Sequence, residues 1–317
     1  MGRVPLGIVV ATPRIEPTGQ QRTGNRHAAR SADVVRWPAI DRTGVVDAVV
    51  TTRHGGVSHG EYSSLNLGLH VGDDPHRVVT NRRLAAAAVG LELEDLVFCR
   101  QSHGAAVAVV GAHDRGRGTL SDSDAIGSTD ALVTTEPGVG LVVMVADCAP
   151  IVMVDPTARV LACVHAGWRG TVAGVTSAAI ACMVDHGADV SRLVVGIGPA
   201  VAAHRYQVGE DVKDAVTAAF GARSASLVPP DGTGRWTFDV AAANRMALTD
   251  AGVEPGNIHD TGFNDTASAE AADGDTDDHC DTDGHGRGDT DSHGPDFFSD
   301  RAARPCGRFA VIARLVD

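Results

Sequence analysis

Apolar positions along this chain fall in short runs, rich in Val and broken by Gly, Pro or Asp, with few long helical stripes between them. Such runs read as buried strands. They are Val45–Thr52, Leu96–Arg100, Ala105–Val110, Asp130–Thr134, Val142–Val145, Val160–Val164, Arg192–Gly198, Asn257–Thr261 and Phe309–Val316. Helical spacing is confined to Pro75–Val89, closed by Gly90, and to Thr171–Asp185, Gly209–Phe220 and Val240–Ala251. Strands and helices alternate without a regular βαβ rhythm, and several strand pairs read as hairpins. The pattern predicts an α/β fold, a single domain of mixed β-sheets with helices outside. One stretch organises it. Val142–Val145 and Val160–Val164 read as paired strands, with Asp155-Pro156-Thr157 as the hairpin turn. The first delivers Asp147-Cys148 at its end, the second His165 and Gly167-Trp168-Arg169-Gly170.

Two segments break the pattern. Residues 1–35 lack periodicity and read as a flexible leader, so the domain is expected to span 36–317. Within it, 267–296 is nearly devoid of apolar residues and carries three Asp-Thr-Asp-x-His pentads ending at His279, His285 and His293. Such a segment cannot offset the entropy of ordering, and it is expected to be a disordered surface insertion with weak metal-capturing side chains.

Composition narrows the class. A 317-residue chain that is 43% hydrophobic has enough apolar surface for a sizeable core. No uncharged apolar run is long enough to cross a bilayer, so no membrane partner is expected. A net charge of −13 argues against a nucleic-acid partner, which calls for a basic patch. The six Cys show no CxxC and no disulfide-like density, and the N-terminus shows no secretory pattern. A reducing, cytoplasmic setting is expected.

Gln101-Ser102-His103-Gly104 places a second His just past an apolar run. One thiolate and two neutral imidazoles would give Zn²⁺ three ligands and leave a fourth position open, as in catalytic zinc sites. His103, Cys148 and His165 are therefore expected to form one metal site. Without a metal, Cys148 and His165 could instead be the nucleophile and base of a hydrolase. Arg53 and Arg169 lie in Gly-bearing turns at strand ends, where a guanidinium can grip phosphate or carboxylate. Asn66 and His70 are candidates to line the same cleft. A protein that binds metal without catalysis is a third reading, for which the pentads are the distinctive support.

The motifs TTRHGGVS, SSLNLGLHVGDD, QSHG, DALVT, ADCAPIVMVD, HAGWRG, GIGPA and FFSDR, in that order, resemble the YfiH-like laccase-domain family. That family is also called polyphenol oxidase or peptidoglycan editing factor. The resemblance implies a four-layer sandwich and zinc held by the residues at His103, Cys148 and His165. It implies phosphorolysis of adenosine, inosine and methylthioadenosine, with adenosine deamination at the same site, so purine nucleosides and phosphate are the expected partners. Cys148, His165 and Arg53 would be catalytic, Arg53 being the phosphate clamp by its match to the Thr-Thr-Arg segment. Arg53, Asn66, His70 and Arg169 would bind substrate. The oxidase name implies Cu²⁺ and phenol oxidation, which needs more His-rich centres than these motifs offer. Peptidoglycan-precursor editing, by zinc or by a Cys–His amidase, is the other substrate class implied. The chain departs from the family at Asp265-Thr266, where Cys-Thr is common, and at Cys306-Gly307-Arg308, where Thr-Gly-Arg is common.

Overall fold

A computed structural model describes residues 31–263, 265–266 and 296–317. Residues 1–30 and the Asp/His-rich segment 267–295 lie outside the described residues, and with them most of the expected leader and insertion. Order begins earlier than expected, since Val34–Val35 pairs antiparallel with Val50–Thr51.

Two sheets lie face to face. The first holds five strands in the order Val34–Val35, Val46–Thr51, Phe309–Leu315, Gly140–Val145 and Leu96–Phe98. The second holds six, in the order Ile258–Asp260, Val194–Ile197, Ala149–Asp155, Val160–Ala166, Ala131–Thr134 and Val107–Val109. Both mix parallel and antiparallel pairs. Strand residues alternate between faces, and here both faces are apolar. Leu141, Val143 and Val145 meet Leu161, Cys163 and Val152 in the core between the sheets. Val142 and Met144 turn outward to Ala85 and Ala86 of helix Pro75–Ala87. On the far side, Ile151, Ala162 and Val164 pack against helices Val175–Asp185, Glu210–Phe220 and Val240–Asp250. Both faces of each sheet are therefore covered, which explains why the strands read as continuous apolar runs. The result is the expected mixed α/β fold in four layers, helix, sheet, sheet, helix.

The expected pairing of Val142–Val145 with Val160–Val164 is corrected. They belong to different sheets, and the hairpin partner of Val160–Ala166 is Ala149–Asp155, with Pro150 opposite His165. Residues 146–148 are thus the crossover from one sheet to the other. The sharp turn puts Asp147 at φ 87°, a left-handed conformation that costs a non-Gly residue about 1–3 kcal/mol. The expected helix Thr171–Asp185 is also two helices, Trp168–Val172 and Val175–Asp185, broken at the left-handed Gly174.

Arg82 ties helix Pro75–Ala87 to the outer face of the first sheet. It is fully buried, lies 4.0 Å above the Phe98 ring, and donates to the carbonyls of Leu67 (2.8 Å), Gly118 (2.6 Å) and Thr119 (2.9 Å). Burial lowers its pKa to about 10, partly offset by Asp122, so it stays charged at neutral pH. The carbonyls pay for that burial by accepting its hydrogen bonds.

Candidate functional site

Three elements deliver the site. Cys148 stands at the sheet crossover, and His165 ends an inner strand, on the same face as Leu161 and Cys163. His103 sits in the QSHG turn after the edge strand of the first sheet, at φ 59°. Their ligand atoms lie within 4.8 Å of one another, and among the described residues this is the one His/Cys/Asp/Glu group that could hold a metal ion. The imidazole rings of His103 and His165 meet edge to face at 4.8 Å, inclined by 81°.

Asp130, which sequence reasoning passed over, ties the site together. It is fully buried at the head of the Ala131–Thr134 strand. Its Oδ1 accepts the backbone N–H of His103 and pairs with His165 Nδ1, both at 2.9 Å. Its Oδ2 accepts from the backbone of Ser102 (3.2 Å) and Gly104 (2.7 Å) and from Ser102 Oγ (3.0 Å). Three successive N–H groups thus wrap one carboxylate, an anion nest that the left-handed His103 makes possible. Burial alone would raise the Asp130 pKa, but hydrogen bonds from His165, Gly104 and Ser102 hold it at about 2. With Nδ1 of His165 occupied, Nε2 is the nitrogen left for a metal, the carboxylate–histidine arrangement of zinc sites. A charged residue heading an apolar strand was the available signal.

Two glycines allow the close approach. A Cβ on Gly167 would lie 2.8 Å from Cys148 Sγ and 3.2 Å from His103 Cδ2. One on Gly170 would lie 2.9 Å from the Gly104 carbonyl. A side chain at either position would push apart the segments that carry His103 and Cys148.

Burial should raise the Cys148 thiol above its ordinary 9.0. The positive charge of His165 and hydrogen bonds with both imidazoles win, and the pKa falls to about 6. His165, which burial would lower, is raised to about 9 by the Cys148 charge and the Asp130 hydrogen bond. The sign follows directly. The thiolate–imidazolium pair stabilises the metal-free protein between these values; it is lost as pH falls through about 6, when the sulfur gains a proton, and as pH rises through about 9, when the ring loses one. In metal-free protein, alkylation of Cys148 by iodoacetamide, followed on its peptide by mass spectrometry, is expected to have a midpoint near 6. A midpoint staying near 9 would contradict this pairing.

The three residues open onto a cleft of about 1140 Å³. Trp168 and Tyr206 contribute aromatic walls. Arg100, Arg169, Arg301, Arg304 and Arg308 line it against Asp122, Asp147 and Asp300, so the cleft is cationic in a chain of net charge −13. Of the expected substrate residues, His70 and Arg169 line it, Arg169 lying 4.3 Å above the Trp168 ring. Burial, then the charge of Arg308, lowers the His70 pKa, and Asp122 acts in the opposite direction.

Two of the expected residues lie elsewhere than on the cleft lining. Arg53 is not among the cleft-lining residues; its Nε donates to the Ser63 carbonyl at 2.9 Å and its guanidinium lies 4.7 Å above Phe298. Asn66 is fully buried and occupied internally, donating to Asp73 (2.9 Å) and Gly68 (3.2 Å) and accepting from the N–H of Gly68 (3.0 Å) and Arg308 (2.9 Å). Tyr206 carries no local sequence signal that marks it as a cleft residue, whereas Arg301 ends the FFSDR motif; folding brings both to the cleft. The departures from the family are accommodated. Asp265 pairs with Arg205 at 2.7 Å, and Thr266 donates to Asp147 at 2.7 Å. Cys306 is buried beside Arg308 Nη1 at 3.2 Å.

The sequence model described as multi-copper polyphenol oxidoreductase laccase matches residues 47–315. The chain belongs to that family. Its relatives include the purine nucleoside phosphorylase YlmD of Geobacillus stearothermophilus, 39% identical over 214 residues, which are 67% of this chain and 78% of that protein. A purine nucleoside phosphorylase of Streptomyces coelicolor is 40% identical over 70% of this chain and 86% of its own length. A protein named adenosine deaminase, from an unidentified prokaryote, is 38% identical over 67% of this chain and 81% of its own. Among solved structures, YlmD superposes with a TM-score of 0.75 at 32% identity, covering 89% of this chain and 94% of that one. Bacillus licheniformis YfiH superposes at 0.74 and 28% identity, covering 85% and 92%. These relatives are named as enzymes of purine nucleosides. Among the described residues no helix is long and apolar enough to cross a membrane.

Proposed function

We propose that this protein is a zinc-dependent purine nucleoside phosphorylase that acts on adenosine, inosine and methylthioadenosine, with adenosine deaminase activity in the same cleft. The observation that carries the reading is the His103–Cys148–His165 cluster set in the floor of an arginine-rich cleft. A thiolate with two imidazoles suits zinc, whose sites favour Cys and His in tetrahedral geometry. Copper oxidation of phenols would call for several His-rich groups, and the described residues offer one group. Bound there, zinc would supply a Lewis acid and lower the pKa of a coordinated water.

The chain's own residues do the rest. Asp130 holds His165 in one tautomer and the QSHG turn in one shape. Trp168, with Arg169 above one face of its ring, lines the cleft where a purine ring would stack. In phosphorolysis a phosphate oxygen bonds to C1′ of the ribose as the C1′–N9 bond breaks, and the purine leaves with the electron pair and takes up a proton. The arginines of the cleft concentrate the phosphate and neutralise it. Deamination needs water and no phosphate, replacing the amino group at C6 and releasing ammonia. Protein carrying one equivalent of zinc is therefore expected to turn adenosine into inosine in phosphate-free buffer, with free adenine appearing only on addition of phosphate. Turnover of adenosine by neither route would sink the reading.

The thiolate–imidazolium pair favours a second reading, a Cys–His amidase acting on peptidoglycan precursors. Activity that survives complete removal of metal, and is abolished by alkylating Cys148, would select it.

A further inference from the structure

The arginines of the cleft are not equivalent. Arg304 and Arg308 both pair with Asp300, and Arg308 Nη1 also donates to the carbonyls of Cys306 (3.1 Å) and Gly307 (2.9 Å). Arg301 has no carboxylate partner among the described residues. Its guanidinium lies 5.1 Å from the centre of the Tyr206 ring and donates from Nη2 to the Gln207 carbonyl. That leaves donors on Nη1 and Nε.

Its backbone is fixed beside the metal ligands. The Arg301 N–H donates at 2.7 Å to Oδ2 of Asp147, the residue before Cys148, while Oδ1 of Asp147 accepts from Thr266 Oγ1 at 2.7 Å. The left-handed backbone of Asp147 points its carboxylate at these two donors and so anchors Arg301 one residue from Cys148. Arg100 and Arg169 also lack a carboxylate partner among the described residues, but neither is tied to Asp147; the Arg100 N–H donates instead to the Ile126 carbonyl at 2.8 Å. Tyr206 is half-buried, and its hydroxyl makes no hydrogen bond among the described residues. Burial raises its pKa, so the hydroxyl is a neutral donor on the cleft wall.

We propose that Arg301 and the Tyr206 hydroxyl together bind the phosphate co-substrate, with Asp147 as the positioning residue that holds Arg301 against the cleft. The inference rests on the phosphorylase reading for the role of the anion, and on geometry for the site. A guanidinium fork beside a neutral hydroxyl offers a tetrahedral oxyanion several donors at once.

The test uses the zinc-loaded full chain, calorimetric titration with inorganic phosphate, and steady-state kinetics with inosine. Tyr206→Phe keeps the ring under Arg301 and removes one donor, and is expected to weaken phosphate binding roughly tenfold. Arg301→Gln is expected to weaken it on the order of a hundredfold, with Arg301→Lys between the two. Asp147→Asn keeps a side chain of the same shape and is expected to lose less than Arg301→Gln. The loss should appear in the KM for phosphate, with the KM for inosine moving far less, a split that general loosening of the fold would not produce. Phosphate binding as tight in Tyr206→Phe and Arg301→Gln as in the unaltered protein would overturn the proposal, as would an unaltered protein that binds no phosphate. If phosphate binds and the variants weaken it, while no ribose 1-phosphate ever forms, the phosphorylase reading fails and the anion site stands.

Discussion

Cys148→Ala is expected to strip the protein of tightly held zinc and to abolish phosphorolysis and deamination together. The variant leaves two imidazoles where the site has three donors, and it removes the one anionic ligand. The loss should exceed the roughly 10–100-fold that removing a supporting partner of a ligand costs. Serine is expected to do little better, because a hydroxyl does not ionise at neutral pH as this thiol does, at about 6. The melting temperature should also fall, since the variant removes the thiolate that pairs with His165 in the metal-free protein. Metal analysis after dialysis against a chelator, read beside initial rates, checks this. Full zinc occupancy with wild-type rates in Cys148→Ala would mean that the sulfur is neither ligand nor nucleophile.

Asp130→Asn is expected to weaken zinc binding by about 10–100-fold, although Asp130 lines no part of the cleft. The carboxylate accepts from three backbone N–H groups, one hydroxyl and one imidazole through two oxygens. Asn has one oxygen and one amide. Whichever way it turns, an NH₂ group faces donors, and buried N–H groups lose their acceptor at about 1–3 kcal/mol each. If the amide faces His165, the ring must present its other tautomer, with its proton on the nitrogen that the metal needs. Lower melting temperature and lower zinc affinity are thus expected together, by thermal unfolding and competitive chelation. Unchanged zinc affinity would detach Asp130 from the site.

The grouping of His103, Cys148 and His165 was legible because their residue types carry the chemistry, each at the end of an apolar run. The sequence pattern also foretold the mixed sheets between helices, since strands covered on both faces read as unbroken Val-rich runs. Pairing was not legible. Nothing in Val142–Val145 distinguishes an inner strand of one sheet from an inner strand of another, so the hairpin was assigned to the wrong partner. The missing information was the strained crossover at Asp147, where the chain changes sheet. Asp130 was hidden for a related reason, because its partners lie on a turn 26–28 residues before it and on a strand 35 residues after it. Arg53 and Asn66 do not line the cleft, and a polar side chain near a turn serves equally well to satisfy the protein's own backbone. Both do that here.

The central claim is that Cys148 and its two histidines serve nucleoside chemistry from the floor of a phosphate-attracting cleft. The most direct measurement incubates zinc-loaded protein with inosine and follows products by chromatography, with and without inorganic phosphate. Hypoxanthine and ribose 1-phosphate are expected in equal amounts, dependent on phosphate and lost with Cys148→Ala. Intact inosine at full zinc occupancy and saturating phosphate would contradict the account.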